Sequence, residues 1–166
     1  RHLRPVETRA HGGLQAVRLA PDAGRAAAAP AVPLSPLTAA VASGVANVTE
    51  LDGGRVSRLR VTNRGDRLLF AMAGELVSGG RQDRVLNGSV LIAPGATVDV
   101  AVSCVEQHRW DGGARNAFRP TSTAATPAVR SAVHGTMIMN LRTTGQRRTD
   151  QHRVWQQVDS TLRRTG

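Results

Sequence analysis

The chain of 166 residues has no lysine and no tyrosine, and it contains one cysteine, two tryptophans and two phenylalanines. One cysteine cannot form an internal disulfide, and it excludes a structural zinc site built from several thiolates. We therefore expect a reducing compartment, with the cytoplasm favoured. The scarcity of aromatic side chains leaves little on which single-stranded nucleic acid could stack. No apolar run reaches about 18 residues, so we expect no membrane span.

The formal net charge of +10 comes from arginine alone. Residues 111 to 166 carry nine arginines against three aspartates, a net of +6, whereas residues 1 to 110 carry thirteen against nine acidic residues, a net of +4. The positive excess therefore leans to the C-terminal third. That suits a phosphate-bearing ligand or nucleic acid, although a solvated arginine-rich surface is the simpler reading of charge alone.

The length predicts a single domain over the whole chain, with a β core followed by a helical tail. Cap and turn residues predict a short N-terminal helix over residues 36 to 43, with Ser35 as its cap. Thr126-Pro127 repeats this device and begins a tail over residues 127 to 166, in which Asp150 caps the second of two helices. The chain starts with arginine rather than methionine, so we expect a processed form or part of a longer protein.

The rest of the chain has a hydrophobic pattern of period two, which is typical of strands. A short run covers Leu14 to Leu19, and five more follow, separated by glycine-rich turns: VANVTELD, RVSRLRVTN, RLLFAMAGELV, RVLNGSVLIAP and ATVDVAVSCVEQ. Short strands at this spacing predict an α+β fold built mainly on an antiparallel β sandwich or partial barrel of about five to seven strands. Residues 111 to 126, rich in small and polar residues, are predicted to form a mobile loop.

The last run ends in SCVEQHRW, residues 103 to 110. Side chains two apart share a face of a strand, so the apolar face from Val98 to Cys104 is interrupted by Glu106. Because an unpaired buried carboxylate is costly, Glu106 either leaves the core at the strand end or meets an arginine. Cys104, Glu106 and His108 would share one face, but one element seldom supplies a whole metal site, and we predict no metal.

Two further groups of residues suggest ligand binding. In AGELVSGGRQDR, residues 73 to 84, a glycine pair allows close backbone approach and arginines follow it, a combination that can hold phosphate. A plain hairpin with a polar tip fits this stretch as well, and neither the P-loop nor the Rossmann spacing is present. Gln151 and Trp155 lie one turn apart on one helix face and could present an amide and an indole to a nucleotide, or Trp155 could be part of the core.

Four motifs occur in a specific order: LSPLTAAVASGVANVTEL, GELVSGGRQDRVLNGSVLIAPG, SCVEQHRW and DQHRVWQQVD. With them, residues 14 to 166 resemble the bacterial and archaeal domain family named for its association with ADP-ribosylglycohydrolases and rhodanese-type phosphatases. The chain departs from the family pattern at Asp83, where the family has asparagine, and at His108, where it has glycine. The resemblance implies no established reaction, but a role near ADP-ribose or NAD-derived nucleotides and further chain after Gly166.

Patterns and resemblance together predict a pocket for an ADP-ribose-like nucleotide, formed by residues 74 to 84 and 104 to 110. The predicted ligand-binding residues are Gln82, Asp83, Arg84, Gln107, Arg109, Trp110, Gln151 and Trp155, and the candidate catalytic residues are Glu75, Glu106 and Cys104. Arginines would hold phosphate, tryptophans would stack on a base, glutamines would bond ribose or base edges, and Glu75 or Glu106 would be the general base if chemistry occurs. Cys104 would be a nucleophile only with a base nearby. No cofactor is predicted.

Two other functions remain open from the sequence. The chain could be a noncatalytic interaction module that binds nucleic acid through its arginine-rich C-terminal third. Alternatively, its glutamates and arginines could form a buried polar network that only stabilises the sheet.

Overall fold

The computed structural model describes residues 3–12, 14–21, 32–51, 56–107 and 117–165. It divides into two units, Arg1–Pro33 and Leu34–Gly166. The first is an antiparallel hairpin of β1 (Leu3–His11) and β2 (Leu14–Pro21). Only the second of these strands was predicted. β1 is exposed along almost all its length. Its sequence therefore lacks the alternation of apolar and polar residues from which a strand is predicted.

The second unit is mostly antiparallel β structure with three helices. In chain order its elements are β3 (Leu34–Pro36), α1 (Leu37–Ala42), β4 (Ala46–Glu50), β5 (Arg58–Asn63), β6 (Leu68–Ala71), β7 (Glu75–Gly79), β8 (Arg84–Leu86), β9 (Val90–Ile92), β10 (Thr97–Cys104), β11 (Ala117–Ala124), α2 (Pro127–Thr144) and α3 (Gln151–Thr165). Six strands close a barrel in the order β10, β5, β4, β11, β7, β8, and every pair in it is antiparallel. The predicted sandwich or partial barrel is thus a closed barrel.

A separate three-stranded sheet, in the order β3, β6, β9, accounts for two wrong strand predictions. RLLFAMAGELV and RVLNGSVLIAP were each predicted as one strand, but each divides between this sheet and the barrel. In the first run the break falls at Gly74, whose φ of 85° turns the chain out of the strand direction. The apolar character of both halves hides the break from a periodicity argument.

The prediction of a loop over residues 111 to 126 is also wrong where the structure describes it. Ala117–Ala124 form β11, which pairs with β4 and β7 and so closes the barrel. Among these eight residues only Phe118 is buried, which leaves no alternating apolar pattern to detect.

Alternating side chains fill the barrel. The interior cluster includes Ala46, Val48, Leu59, Val61, Val77, Leu86, Val100, Val102 and Phe118. The predicted apolar face of β10 is confirmed, because Val100, Val102 and Cys104 are all 5% exposed or less. A second cluster lies outside β8, where Val85 packs with Val129, Val133 and Val154 of the two long helices.

Two of the three predicted helix caps are confirmed. The Thr126 hydroxyl accepts from the backbone N–H of Val129 at 3.4 Å at the start of α2, and Asp150 Oδ1 accepts from that of Arg153 at 3.2 Å in α3. The predicted Ser35 cap is wrong: Ser35 belongs to β3, and Pro36 stands at the N-cap of α1 without a side-chain bond. No helix within the described ranges is long and apolar enough to cross a membrane.

Asn63 joins the barrel to the neighbouring sheet. Its side chain is buried, and Nδ2 donates to the carbonyl oxygens of Arg67 at 2.8 Å and of Ile92 and Ala93 at 3.1 Å. Its Oδ1 accepts from the backbone N–H of Gly65 at 3.1 Å. One side-chain amide at the end of β5 therefore forms hydrogen bonds with backbone groups of the following turn and of the end of β9.

We expect Asn63→Asp to lower the free energy of unfolding by about 3 kcal/mol, since it replaces the donor with an oxygen that faces three carbonyl oxygens. Urea unfolding followed by circular dichroism measures this change. Asn47→Asp, at a half-buried position on the adjacent strand β4, is the matched control and should cost less than about 1 kcal/mol. Equal losses in the two variants would show that Asn63 has no such role.

Candidate functional site

At one end of the barrel, Asp83 of the predicted segment 74 to 84 contacts Val105 and Glu106 of the predicted segment 104 to 110. The strand ends of β4, β7 and β10 lie here, because their antiparallel partners β5, β8 and β11 start at the same end. The backbone N–H of Val105 donates to the carbonyl oxygen of Asp83 at 3.1 Å, and the N–H of Asp83 donates to Glu106 Oε2 at 3.3 Å. We call Glu50, residues 79 to 84 and residues 104 to 107 the polar barrel end.

Arg84 lies within this barrel end. It pairs in register with Val77 and Cys104, and Leu86, two residues further on the same face, belongs to the interior cluster. Arg84 is 1% exposed, and its Nη1 donates to the Gln82 carbonyl oxygen at 2.9 Å and to Gln82 Oε1 at 3.3 Å. A guanidinium charge is thereby held inside an otherwise apolar barrel.

Gln82 is equally buried, at 1% exposed. Its Oε1 serves Arg84, but its Nε2 is buried and has no acceptor among the described residues. A buried donor without an acceptor costs about 1–3 kcal/mol, so an oxygen atom brought to this N–H group would stabilise the barrel end.

Asp83 shapes the loop rather than facing outward. Its Oδ1 accepts from the Ser78 hydroxyl at 2.9 Å and from the backbone N–H of Gly79 at 3.1 Å. Gly79 and Gly80 both have positive φ, and a Cβ on Gly80 would overlap the Phe118 ring. The glycine pair therefore allows the loop to pack closely against the barrel's own side chains.

Cys104 is buried, and burial raises the pKa of its thiol, while the positive charge of Arg84 acts in the opposite direction. The thiol is thus protonated at neutral pH. His134 and His152, the histidines of α2 and α3 that could serve as its base, are exposed on the helices. These features favour a small buried hydrophobe over a nucleophile.

Gln151 uses its side-chain amide to extend the β10 ladder. Its Oε1 accepts from the Cys104 backbone N–H at 2.9 Å and its Nε2 donates to the Cys104 carbonyl oxygen at 2.7 Å. Trp155 lies one turn further along the same face of α3. The Nε1 atom of Trp155 is buried and, like Nε2 of Gln82, has no acceptor in the described part of the chain.

Glu75 does not join Glu106. It lies at the opposite end of β7 from Gly79, about 13 Å along the strand, and its Oε2 accepts from the backbone N–H of Met72 at 2.9 Å. The structure therefore places these two candidate bases in different surroundings.

Sequence reasoning missed Glu50. Its Oε1 accepts from the backbone N–H of Arg81 at 3.0 Å, and Oε2 lies 3.9 Å from Arg81 Nε. Glu50 follows Ala46 and Val48 on the inward face of β4, the same interrupted alternation that singled out Glu106. Applied to VANVTELD, the same rule would have found it.

The other predicted site residues lie at the end of a described range or outside the described residues. Gln107 is exposed. His108, Arg109 and Trp110 lie outside the described residues, so their predicted roles stay predictions. Within the described ranges no three His, Cys, Asp or Glu side chains are grouped to hold a metal ion.

Comparison with known proteins gives one family match. Residues 2–166 match the family model described as the ARG and Rhodanese-Phosphatase-superfamily-associated Protein domain. No curated protein and no solved structure matches the chain.

We expect the folded chain to lose stability as pH rises above the pKa of the unfolded thiol, about 8.5. The buried Cys104 keeps its proton to higher pH than the unfolded thiol, so folding is favoured most below that value. Without lysine or tyrosine, no other side chain titrates in this window. The slope is at most about 1.4 kcal/mol per pH unit.

Urea unfolding between pH 8 and 10 measures this slope, and Cys104→Ala should abolish it. The same slope in both proteins would contradict a raised thiol pKa. Slow alkylation of the folded wild type by iodoacetamide at pH 8, compared with the urea-unfolded chain, gives an independent measure of burial.

Proposed function

The chain belongs to the ARG and Rhodanese-Phosphatase-superfamily-associated Protein domain family, and on this basis we propose that its polar barrel end binds a phosphate-bearing nucleotide of the ADP-ribose type. The observation that carries the proposal is the buried Gln82 Nε2, which has no acceptor among the described residues. The family description supplies the association with ADP-ribosylglycohydrolases, and the choice of nucleotide rests on that association alone.

The chemistry of the barrel end supports an anionic, oxygen-rich ligand. Arg84 brings a permanent positive charge into a region of low dielectric, where attraction to phosphate is stronger than in water. Gln82 Nε2 is a buried N–H donor that has no acceptor in the described ranges. Phosphate and ribose oxygens would satisfy such a donor.

Binding is the better-supported activity, and catalysis is the further step. The Cys104 thiol is kept protonated by burial, and Glu75 is remote from the barrel end. If the ligand is also processed, Glu106 is the carboxylate in place to act as general base, since it lies against the loop that holds Gln82 and Arg84.

Calorimetric titration with ADP-ribose, NAD and AMP tests the proposal, with Gln82→Glu as the variant. This change keeps an acceptor for Arg84 and removes the buried donor, so the domain should stay folded while ADP-ribose affinity falls at least tenfold. Gln156→Glu is the control, because it makes the same substitution and the same change of charge at an exposed position of α3, outside the polar barrel end.

Unchanged affinity in Gln82→Glu would contradict the proposal, as would the absence of binding to any of the three nucleotides by the folded wild type. If binding is absent and Gln82→Glu melts well below wild type, the buried polar network is only structural.

A second function, binding of nucleic acid, is favoured by one observation. All seven arginines of residues 127 to 165 are exposed: Arg130, Arg142, Arg147, Arg148, Arg153, Arg163 and Arg164. The only acidic residues in this part of the chain are Asp150 and Asp159. Such a surface attracts a phosphate backbone without reading its sequence.

For this second function we expect the affinity for duplex DNA to fall steeply with salt, and Arg163→Gln/Arg164→Gln to make the slope of log K against log salt shallower by about 2. Fluorescence anisotropy with a labelled duplex measures it. Arg9→Gln/Arg18→Gln is the control of equal charge, since both arginines lie beside Glu7. A slope near zero in the wild type would exclude this function.

A further inference from the structure

A groove is lined by residues of the barrel and of the helical tail, and none of them belongs to the polar barrel end. Its volume is about 340 Å³, within the range of small-molecule sites. Its lining residues are Arg58, Gly88, Val90, Val98, Asp99, Val100, Ala101, Met137, Gly145, Gln146 and Arg147. They come from β5, the turn before β9 with the first residue of β9, β10, the middle of α2 and the connection between the two long helices, so the groove requires the folded arrangement of these segments.

The charge of the groove is positive. Arg60 holds Asp99 through two bonds, from Nε to Oδ1 at 2.9 Å and from Nη2 to Oδ2 at 3.3 Å, which compensates that carboxylate. Arg58 and Arg147 are exposed, and neither forms an ion pair within the described ranges. Two guanidinium groups on different segments are therefore available to an anion.

The groove is also partly apolar. Met137 is 7% exposed, and its Sδ and Cε lie against Gly88, 3.6 and 3.8 Å from where a Cβ would stand. Val90, at the start of β9, is half-buried beside it. A thioether beside branched aliphatic groups adapts readily to a flat or irregular apolar group.

We propose that this groove binds a small organic phosphate, with the phosphate between Arg58 and Arg147 and the apolar portion against Met137 and Val90. The two arginines provide planar, permanently charged donors that suit phosphate oxygens. The apolar lining adds affinity that inorganic phosphate cannot obtain. This site shares no residue with the polar barrel end, so it stands whether or not a nucleotide binds there.

Phenyl phosphate, inorganic phosphate and phenol are the probes, titrated into ¹⁵N-labelled protein and followed by NMR. We expect phenyl phosphate to shift the backbone amides of Gly88, Ala101, Gly145 and Gln146 and to bind more tightly than either fragment. Arg58→Gln and Arg147→Gln should each weaken it by roughly tenfold. Arg64→Gln, an exposed arginine outside the groove, is the matched control and should leave it unchanged.

Three results would overturn the proposal: no binding of phenyl phosphate to the folded wild type, equal affinities for phenyl and inorganic phosphate, or equal weakening by Arg64→Gln. Gln82→Glu separates this site from the nucleotide site, because it should leave phenyl phosphate binding intact. If Arg58→Gln or Arg147→Gln instead abolishes ADP-ribose binding and Gln82→Glu does not, the nucleotide occupies the groove and both assignments fail.

Discussion

A guanidinium buried inside a barrel is the constraint on which the polar barrel end depends. Arginine cannot lose its charge in a protein, so Arg84 must be surrounded by acceptors. The loop before it provides them, as the carbonyl oxygen and Oε1 of Gln82 turn toward Nη1. Asp83 in turn holds that loop by accepting from Ser78 and Gly79. Glycines allow the tight path of this loop, which places polar groups at one end of an apolar core.

The same constraint extends to the helices. Cys104 pairs with Arg84 between strands β10 and β8. The side-chain amide of Gln151, at the start of α3, forms two hydrogen bonds with the backbone of Cys104. That contact places the helix against the strand end, and Val154 then seals the second cluster over β8. The barrel end and the helical tail are therefore joined through β10, at Cys104 and also at Ser103, whose hydroxyl lies 2.6 Å from that of Thr149. A change in the surroundings of Arg84 can therefore reach α3 through Cys104 and Gln151.

Sequence reasoning recovered what depends on periodicity and capping. It found the buried face of β10 and the Thr126 and Asp150 caps, because each leaves a local pattern. It failed for β11, because this strand carries only one buried side chain. It also failed for Glu75, because the extended strand β7 separates Glu75 from Gln82 although the two are close in sequence. The groove escaped detection because its lining segments are distant in sequence and no local pattern shows that they meet.

The central claim is that the Gln82 amide and the Arg84 guanidinium form a ligand site rather than only a structural network. The most direct test is a ¹⁵N NMR titration of the full chain with ADP-ribose, following side-chain N–H signals. We expect the Gln82 Nε2 and Arg84 Nε signals to shift together and saturate, while the exposed amide of Gln146 does not move. Saturable binding that leaves the Gln82 and Arg84 signals in place would contradict it, as would no binding.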